Sequence, residues 1–351
     1  MSTSVRNATF LSLALTMWVF AQNASLQGIL TDSSGAIVQQ VEVVLTKVET
    51  GTTATTKTND VGLYSFPSLS TGTYVLTASK AGFQQATSQQ IPIAVGQAAR
   101  VDMSLQPGNV GEKVTVTANA AALETESTQV GQVINNRTIV NLPLNGRNYL
   151  ELAKLTSGTG PAVGSRTANA GAFSAGGQHG WQTNVQLDGV DNNSRESGGQ
   201  LGYEAQSVTP SVDAVEEFRV VTNNLSAEYG GRMGGTVIVN LRSGTNSFHG
   251  SAFEFLRNST LDGTNFFANL NGAGKPPFKR NQFGGTAGGR IIRDKLFYFG
   301  SFEGTRTRNG QSFTSTVPTA LERQGNFSQQ LPIFDPATTQ GSGGSMTRQP
   351  F

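Results

Sequence analysis

The sequence predicts a mainly β chain: a small β-sandwich, then a mixed α/β domain, then the opening strands of an incomplete transmembrane β-barrel. Three observations carry this. Up to Pro107, short β-prone segments recur roughly every ten residues with Gly, Asp and Asn between them, the spacing of an all-β sandwich. From Leu123 to about Ser243 the chain turns glycine-rich and mixes strand and helix signals. From Phe248, segments of roughly ten residues alternate an apolar face with a small or polar one, as strands that cross a bilayer must.

Composition removes whole classes of chemistry. The 351 residues include 42 Gly, no Cys, only two His and a net charge of +2. There is therefore no disulfide framework, no thiolate nucleophile and no cysteine metal site. A near-neutral chain without a basic run is not built for nucleic acid. His179 and His249 lie far apart without carboxylates at ligand spacing, so they read as ordinary polar positions. No Gly-Lys-Ser/Thr phosphate loop occurs, the glycine clusters lack the strand and helix context of a dinucleotide site, and there is no Gly-x-Ser-x-Gly elbow. Asp188, Asp191, Asn192 and Asn193 are crowded acceptors, but their spacing is not that of an EF-hand and no distal Glu follows. A turn cap is the better reading. No catalytic residue, metal or cofactor is expected.

Arg6 precedes an apolar run from Ala8 to Ala21. The run is shorter than the roughly 20 residues a helix needs to cross a bilayer. It fits a secretory signal peptide over residues 1–21, with Val19 and Ala21 as the small residues before cleavage and Ala24 as the alternative. Export then puts the following domain in the periplasm of a cell with an outer membrane.

The sandwich occupies residues 26–107. Its strands are predicted at Leu26 to Leu30, Val41 to Leu45, Thr52 to Thr58, Leu63 to Phe66, Thr73 to Ala78, Ile91 to Val95 and Arg100 to Leu105. Within them Thr58-Asn59-Asp60-Val61-Gly62-Leu63-Tyr64-Ser65-Phe66, followed by Leu69, Gly72 and Tyr74, forms a specific pattern. Tyr64 and Phe66 share a face, Gly62 and Gly72 supply turns, and Gly82-Phe83 closes an end. These residues resemble the carboxypeptidase regulatory-like domain, a transthyretin-like sandwich also grouped with carbohydrate-binding-like folds. Thr71 stands where that family often has Pro. The resemblance implies an accessory binding or spacer domain without catalytic groups.

Residues 108–122 form a linker holding one β-prone heptapeptide, Glu112-Lys113-Val114-Thr115-Val116-Thr117-Ala118. With no sequential partner strand, it is suited to pairing with another protein's sheet edge. It resembles the TonB box of outer-membrane active transporters, where such a strand recruits a periplasmic energising protein.

The domain over 123–243 begins with Leu142-Pro143-Leu144-Asn145-Gly146-Arg147-Asn148 before a helix predicted at Tyr149 to Leu155. A strand, Val185-Gln186-Leu187, closes on the turn Asp188-Gly189. Then follow Val215-Glu216-Glu217-Phe218-Arg219-Val220, Glu228-Tyr229-Gly230 and Gly234-Gly235-Thr236-Val237-Ile238-Val239. In that order, these pieces resemble the plug domain of TonB-dependent transporters. With the Leu142 to Asn148 stretch and the N-terminal sandwich, they are similar to the Oar-like subgroup. A domain lodged in a barrel needs small residues where backbones meet, and Gly230, Gly231, Gly234 and Gly235 are expected to allow close approach and positive φ. Glu216, Glu217, Arg219, Glu228, Arg232 and Arg242 are expected to pair with each other or with a polar lumen.

Residues 248–351 hold three candidate barrel strands. His249 to Arg257 places Phe253 and Phe255 on one face and Gly250, Ala252 and Glu254 on the other, an apolar face and a small or polar one. Asn281 to Ile291 and Leu296 to Thr305 follow, with Phe297 and Phe299 opposite Tyr298 and Gly300. The long link from Asn258 to Arg280 and the tight turn Arg293-Asp294-Lys295 predict an outer loop and a periplasmic turn, respectively. A plugged barrel has about 22 strands, so the chain reads as a fragment or a truncated gene product. An open three-stranded sheet leaves unpaired edges in lipid.

Together these features predict an outer-membrane TonB-dependent transport receptor. Its implied partners are a TonB-type periplasmic energising protein, outer-membrane lipid and a small substrate, with sugars, oligopeptides and metal chelates all open. The competing expectation is a secreted or cell-surface carbohydrate-binding or adhesion protein, in which the sandwich binds and the remainder is scaffold.

Overall fold

The computed structural model describes residues 24–108, 113–116, 127–144, 146–161, 173–193, 206–230, 232–270, 272, 275–310, 316–341 and 346–350. The predicted leader lies outside these residues, as do Glu112, Thr117, Ala118 and Gly231. By packing, the chain divides into residues 1–254 with 282–305, and residues 255–281 with 306–351.

The first sheet of the sandwich is built on β1 (Ala24–Asp32), which buries alternate residues. The second runs through β2 (Glu42–Lys47), β3 (Thr53–Lys57) and β5 (Gly72–Ser79). β4 (Leu63–Leu69) pairs antiparallel with β1, while β8 (Ala98–Arg100) and β9 (Met103–Leu105) pair parallel with it. β6 (Gln85–Ser88) and β7 (Ile91–Ile93) both border β5. The inward rows meet in one core that includes Leu26, Leu30, Val43, Leu45, Leu76 and Leu105. Gly28 is fixed by a crossing: a Cβ there would overlap the Val101 carbonyl and lie 2.8 Å from the Tyr64 hydroxyl. That hydroxyl donates to the Val101 carbonyl at 2.5 Å, so the one polar atom of a large core ring is satisfied. Burial holds the Tyr64 phenol above its ordinary pKa.

β10 (Lys113–Val116) corrects an expectation. It is not isolated: it pairs parallel with β6 and ends the second sheet, in the order β10-β6-β5-β2-β3. The pairing was illegible because β6, Gln85-Ala86-Thr87-Ser88, is too polar to be recognised as a strand.

The middle domain is a five-stranded sheet in the order β11-β16-β17-β14-β15. Its strands are β11 (Val130–Asn135), β14 (Asn184–Leu187), β15 (Val190–Asp191), β16 (Val215–Asn223) and β17 (Thr236–Leu241). β12 (Thr159–Pro161) and β13 (Phe173–Ala175) form a separate hairpin. Helix α1 (Asn136–Asn141) starts where the Asn135 side chain accepts from the Thr138 amide, and it buries Ile139. Tyr149–Leu155 forms a 3₁₀ helix where a helix was predicted. Its Tyr149 packs edge-on against Phe218, 5.3 Å between centroids, and donates to Gln206 at 2.6 Å. β17 is buried almost throughout and β16 from Phe218 to Thr222, as strands with both faces covered must be.

The last sheet has the order β18-β19-β20, with β18 (His249–Asn258), β19 (Phe278–Ile292) and β20 (Leu296–Asn309). These agree with the predicted strands to within a few residues, and Asp294 takes a left-handed φ of 59° in the tight turn. The link between β18 and β19 carries a short helix, α2 (Phe266–Leu270).

Candidate functional site

The predicted site residues of the middle domain gather around one sheet. Asp188 and Gly189 both have left-handed φ, 48° and 77°, and join β14 to β15 with Leu187 opposite Val190, as the Asp-Gly pair predicts. The Asp188 carboxylate accepts the Leu241 amide at 2.9 Å, so the turn is tied to the end of β17. Burial raises its pKa against the effect of that bond. The neighbouring acceptors serve the backbone: Asn193 accepts the Val185 amide, Asp191 that of Asn193 and Asn192 that of Val208, each at 2.9 Å.

Glu228, Tyr229 and Gly230 form the end of a 3₁₀ turn. The Tyr229 ring is buried beside Val221 and Ile238, and its carbonyl accepts from Asn184 at 3.3 Å. The side chain of Glu228 lies outside the described residues. Gly234 and Gly235 do permit close approach: a Cβ would stand 2.8 Å from the Gln182 carbonyl and 2.6 Å from Ala175 Cβ, respectively. Positive φ, expected for this cluster, is not found at Gly230, Gly234 or Gly235; crowding, not turn geometry, selects glycine at Gly234 and Gly235.

Of the charged residues expected to pair, Arg242 and Glu216 do so with each other, at 3.3 Å, and Arg232 donates to the Thr183 carbonyl at 3.3 Å. Glu217 and Arg219 reach the sandwich. Glu217 accepts the Val95 amide at 2.5 Å and Arg219 donates to the Gly96 carbonyl at 3.1 Å. Val95, fully buried, is a sandwich residue inside the cluster of Val221, Tyr229 and Ile238. The second face of the middle sheet is thus covered by one turn of the sandwich. Desolvation there, reinforced by the nearby Glu216, pushes the Glu217 carboxyl up to about 7 although the Val95 amide opposes it. A cleft of about 610 Å³ opens beside this seam, with Lys47, Glu49, Glu216, Glu217, Arg242 and His249 among its walls.

A second seam joins the middle domain to the long strands. Arg147, from the Leu142 to Asn148 stretch, pairs with Asp213 and lies 3.4 Å from Glu303 of β20. Its guanidinium stands 4.0 Å from the centroid of Phe253 on β18. Ser211 donates to Glu303 at 2.8 Å, Ser251 to Asp213 at 3.1 Å, and Gln282 to the Gly146 carbonyl at 3.2 Å. Side chains alternate across a strand, so the odd positions of β18 and β20 and the even positions of β19 face the middle domain. Phe253 therefore belongs to the domain-facing side, among the polar contacts of this seam. The opposite side shows Ile291, Leu296, Tyr298 and Phe302, all exposed.

Sequence reasoning missed Arg147, Glu303 and Val95 as contacts. Arg147 lay inside a recognised motif, but nothing local names its partners. The arrangement is a pair of fastenings, sandwich to middle domain and middle domain to sheet.

Two family models match parts of the chain. Residues 25–106 match the carboxypeptidase regulatory-like domain family, and residues 240–351 match the outer membrane beta barrel domain family. The chain is similar to the TonB-dependent transporter Oar of Myxococcus xanthus, 27% identical over 304 residues, covering 82% of this chain and 27% of that protein. It thus spans about a quarter of the length of that curated relative. Among solved structures, a ferric enterobactin receptor variant from Pseudomonas aeruginosa is similar over 53% of this chain and 26% of its own, with 17% identity and a TM-score of 0.39. The 5-hydroxyisourate hydrolase of Klebsiella pneumoniae is similar over 24% of this chain and 92% of its own, with 23% identity and a TM-score of 0.20.

Proposed function

We propose that this chain, an outer-membrane protein similar to a TonB-dependent transporter, forms the sandwich, plug and first wall strands of an active transport receptor. The middle domain is the plug, β18 to β20 begin the wall, and the sandwich lies in the periplasm. The observation that carries the reading is the Arg147 seam. A globular domain is fastened by a buried cation to one side of strands whose other side exposes apolar residues, as a plug inside a lipid-facing wall must be. The tight turn of Asp294 lies against the sandwich: Asn246 donates to Asp294 at 2.8 Å, and its own amide donates to the Glu49 carbonyl at 3.0 Å. A periplasmic sandwich and a short periplasmic turn on the same side fit the predicted orientation.

In this reading Glu112 to Ala118 recruits a TonB-type energising protein, and pulling on it rearranges the plug so that substrate passes. The test is capture of the periplasmic domain of such a protein by the whole receptor, comparing wild type with Val114→Pro. Proline removes an amide from any strand pairing, so capture should fall at least tenfold. Equal capture by both would remove the coupling role.

A further inference from the structure

We infer that the sandwich is a scaffold presenting β10 as an open sheet edge, to which an extended strand of the energising partner adds while β10 stays on β6. The inference rests on the coupling role proposed above for Glu112 to Ala118. It starts from the register: Lys113, Val114, Thr115 and Val116 lie opposite Gln85, Ala86, Thr87 and Ser88 in a parallel pair. β6 is in turn held antiparallel to β5, with Thr77 opposite Thr87 and Ala78 opposite Ala86. The strand that recruits the partner is thereby continuous with a sheet anchored in the sandwich core.

Two consequences separate presentation from concealment. Among the described residues β10 is the last strand of its sheet. A strand paired on one side turns alternate N–H and C=O groups to the open side, which is a template for a further strand. A free heptapeptide would lose backbone freedom when the partner bound, whereas a strand already extended on β6 has lost it beforehand, so the partner meets a pre-organised edge. The sandwich is itself fastened to the plug through Val95, Glu217 and Arg219. A pull on β10 would therefore load the sandwich and, through that turn, the plug sheet. The occupant fitted to this edge is an extended polypeptide strand.

These 351 residues include no native cysteine, so none of them competes with a cross-link introduced between the two strands. The pair Thr87→Cys and Thr115→Cys in the whole receptor, opposite one another in the register, is oxidised, the cross-link is confirmed by thiol titration, and capture of the partner's periplasmic domain is compared with the reduced form. The expected result is capture within twofold of the reduced form. A loss of tenfold or more on oxidation, reversed by reductant, would overturn the scaffold and show that the partner must displace β6. Failure of both this pair and Gln85→Cys with Lys113→Cys to oxidise would overturn the pairing itself. Absence of capture by the wild-type receptor would instead sink the coupling role on which the inference rests.

Discussion

Glu217 makes the fastening of sandwich to middle domain depend on pH, and the size of the effect follows from its surroundings. Its carboxyl is raised from the ordinary 4.5 to about 7, chiefly by burial under the sandwich turn. Below about pH 4.5 both the folded and the unfolded chain hold this proton. Between 4.5 and 7 the unfolded chain releases it while the folded chain keeps it, so the folded state binds more protons and stability falls as pH rises. Above pH 7 the folded chain carries a poorly solvated carboxylate and the loss is complete. At about 1.36 kcal/mol per pH unit, the interval from 4.5 to about 7 corresponds to roughly 3 kcal/mol. Glu217→Gln keeps an oxygen to accept the Val95 amide and removes the charge. Urea unfolding of both proteins in detergent, followed by a probe in the sandwich from pH 5 to pH 8, is the assay. Wild type should lose roughly 2.5 kcal/mol relative to the Gln variant across that range. Parallel stability curves would refute the reasoning, because the pH dependence would then belong to other groups.

Two further substitutions probe the remaining contacts. Arg147→Ala leaves Asp213 and Glu303 close together without their shared cation, and should cost roughly 3–5 kcal/mol in chemical unfolding of the middle domain; a loss under about 1 kcal/mol would show that water already screens the seam. Gly28→Ala drives a methyl into the Val101 carbonyl and the Tyr64 hydroxyl, so the sandwich should lose roughly 1–3 kcal/mol or more, read as a lowered melting temperature with the middle-domain signal unchanged.

Much of the architecture was legible because it is governed by short-range chemistry. The Asp188-Gly189 turn required two left-handed residues and the sequence supplied a pair suited to them. The alternation in β1, β18 and β20 was visible residue by residue, and Asp294 marked the tight turn between β19 and β20. β6 was not legible, because Gln85-Ala86-Thr87-Ser88 has no apolar stripe and is a strand only through its neighbours. Tyr149–Leu155 was recognised as helical, but not as 3₁₀.

By itself the sequence determined the order of the parts, the positions of most strands and the turns between them, and the absence of any cysteine chemistry, since each depends on residue types within a few positions of one another. Only the tertiary structure decided that β10 rests on β6, that Val95 covers the middle sheet's second face, that Phe253 lies beneath Arg147, and that Glu217 is desolvated. Those outcomes depend on which surfaces meet across tens to more than a hundred residues of chain. A local pattern states that a side chain needs burial or a charge needs a partner, but not which distant element will supply it.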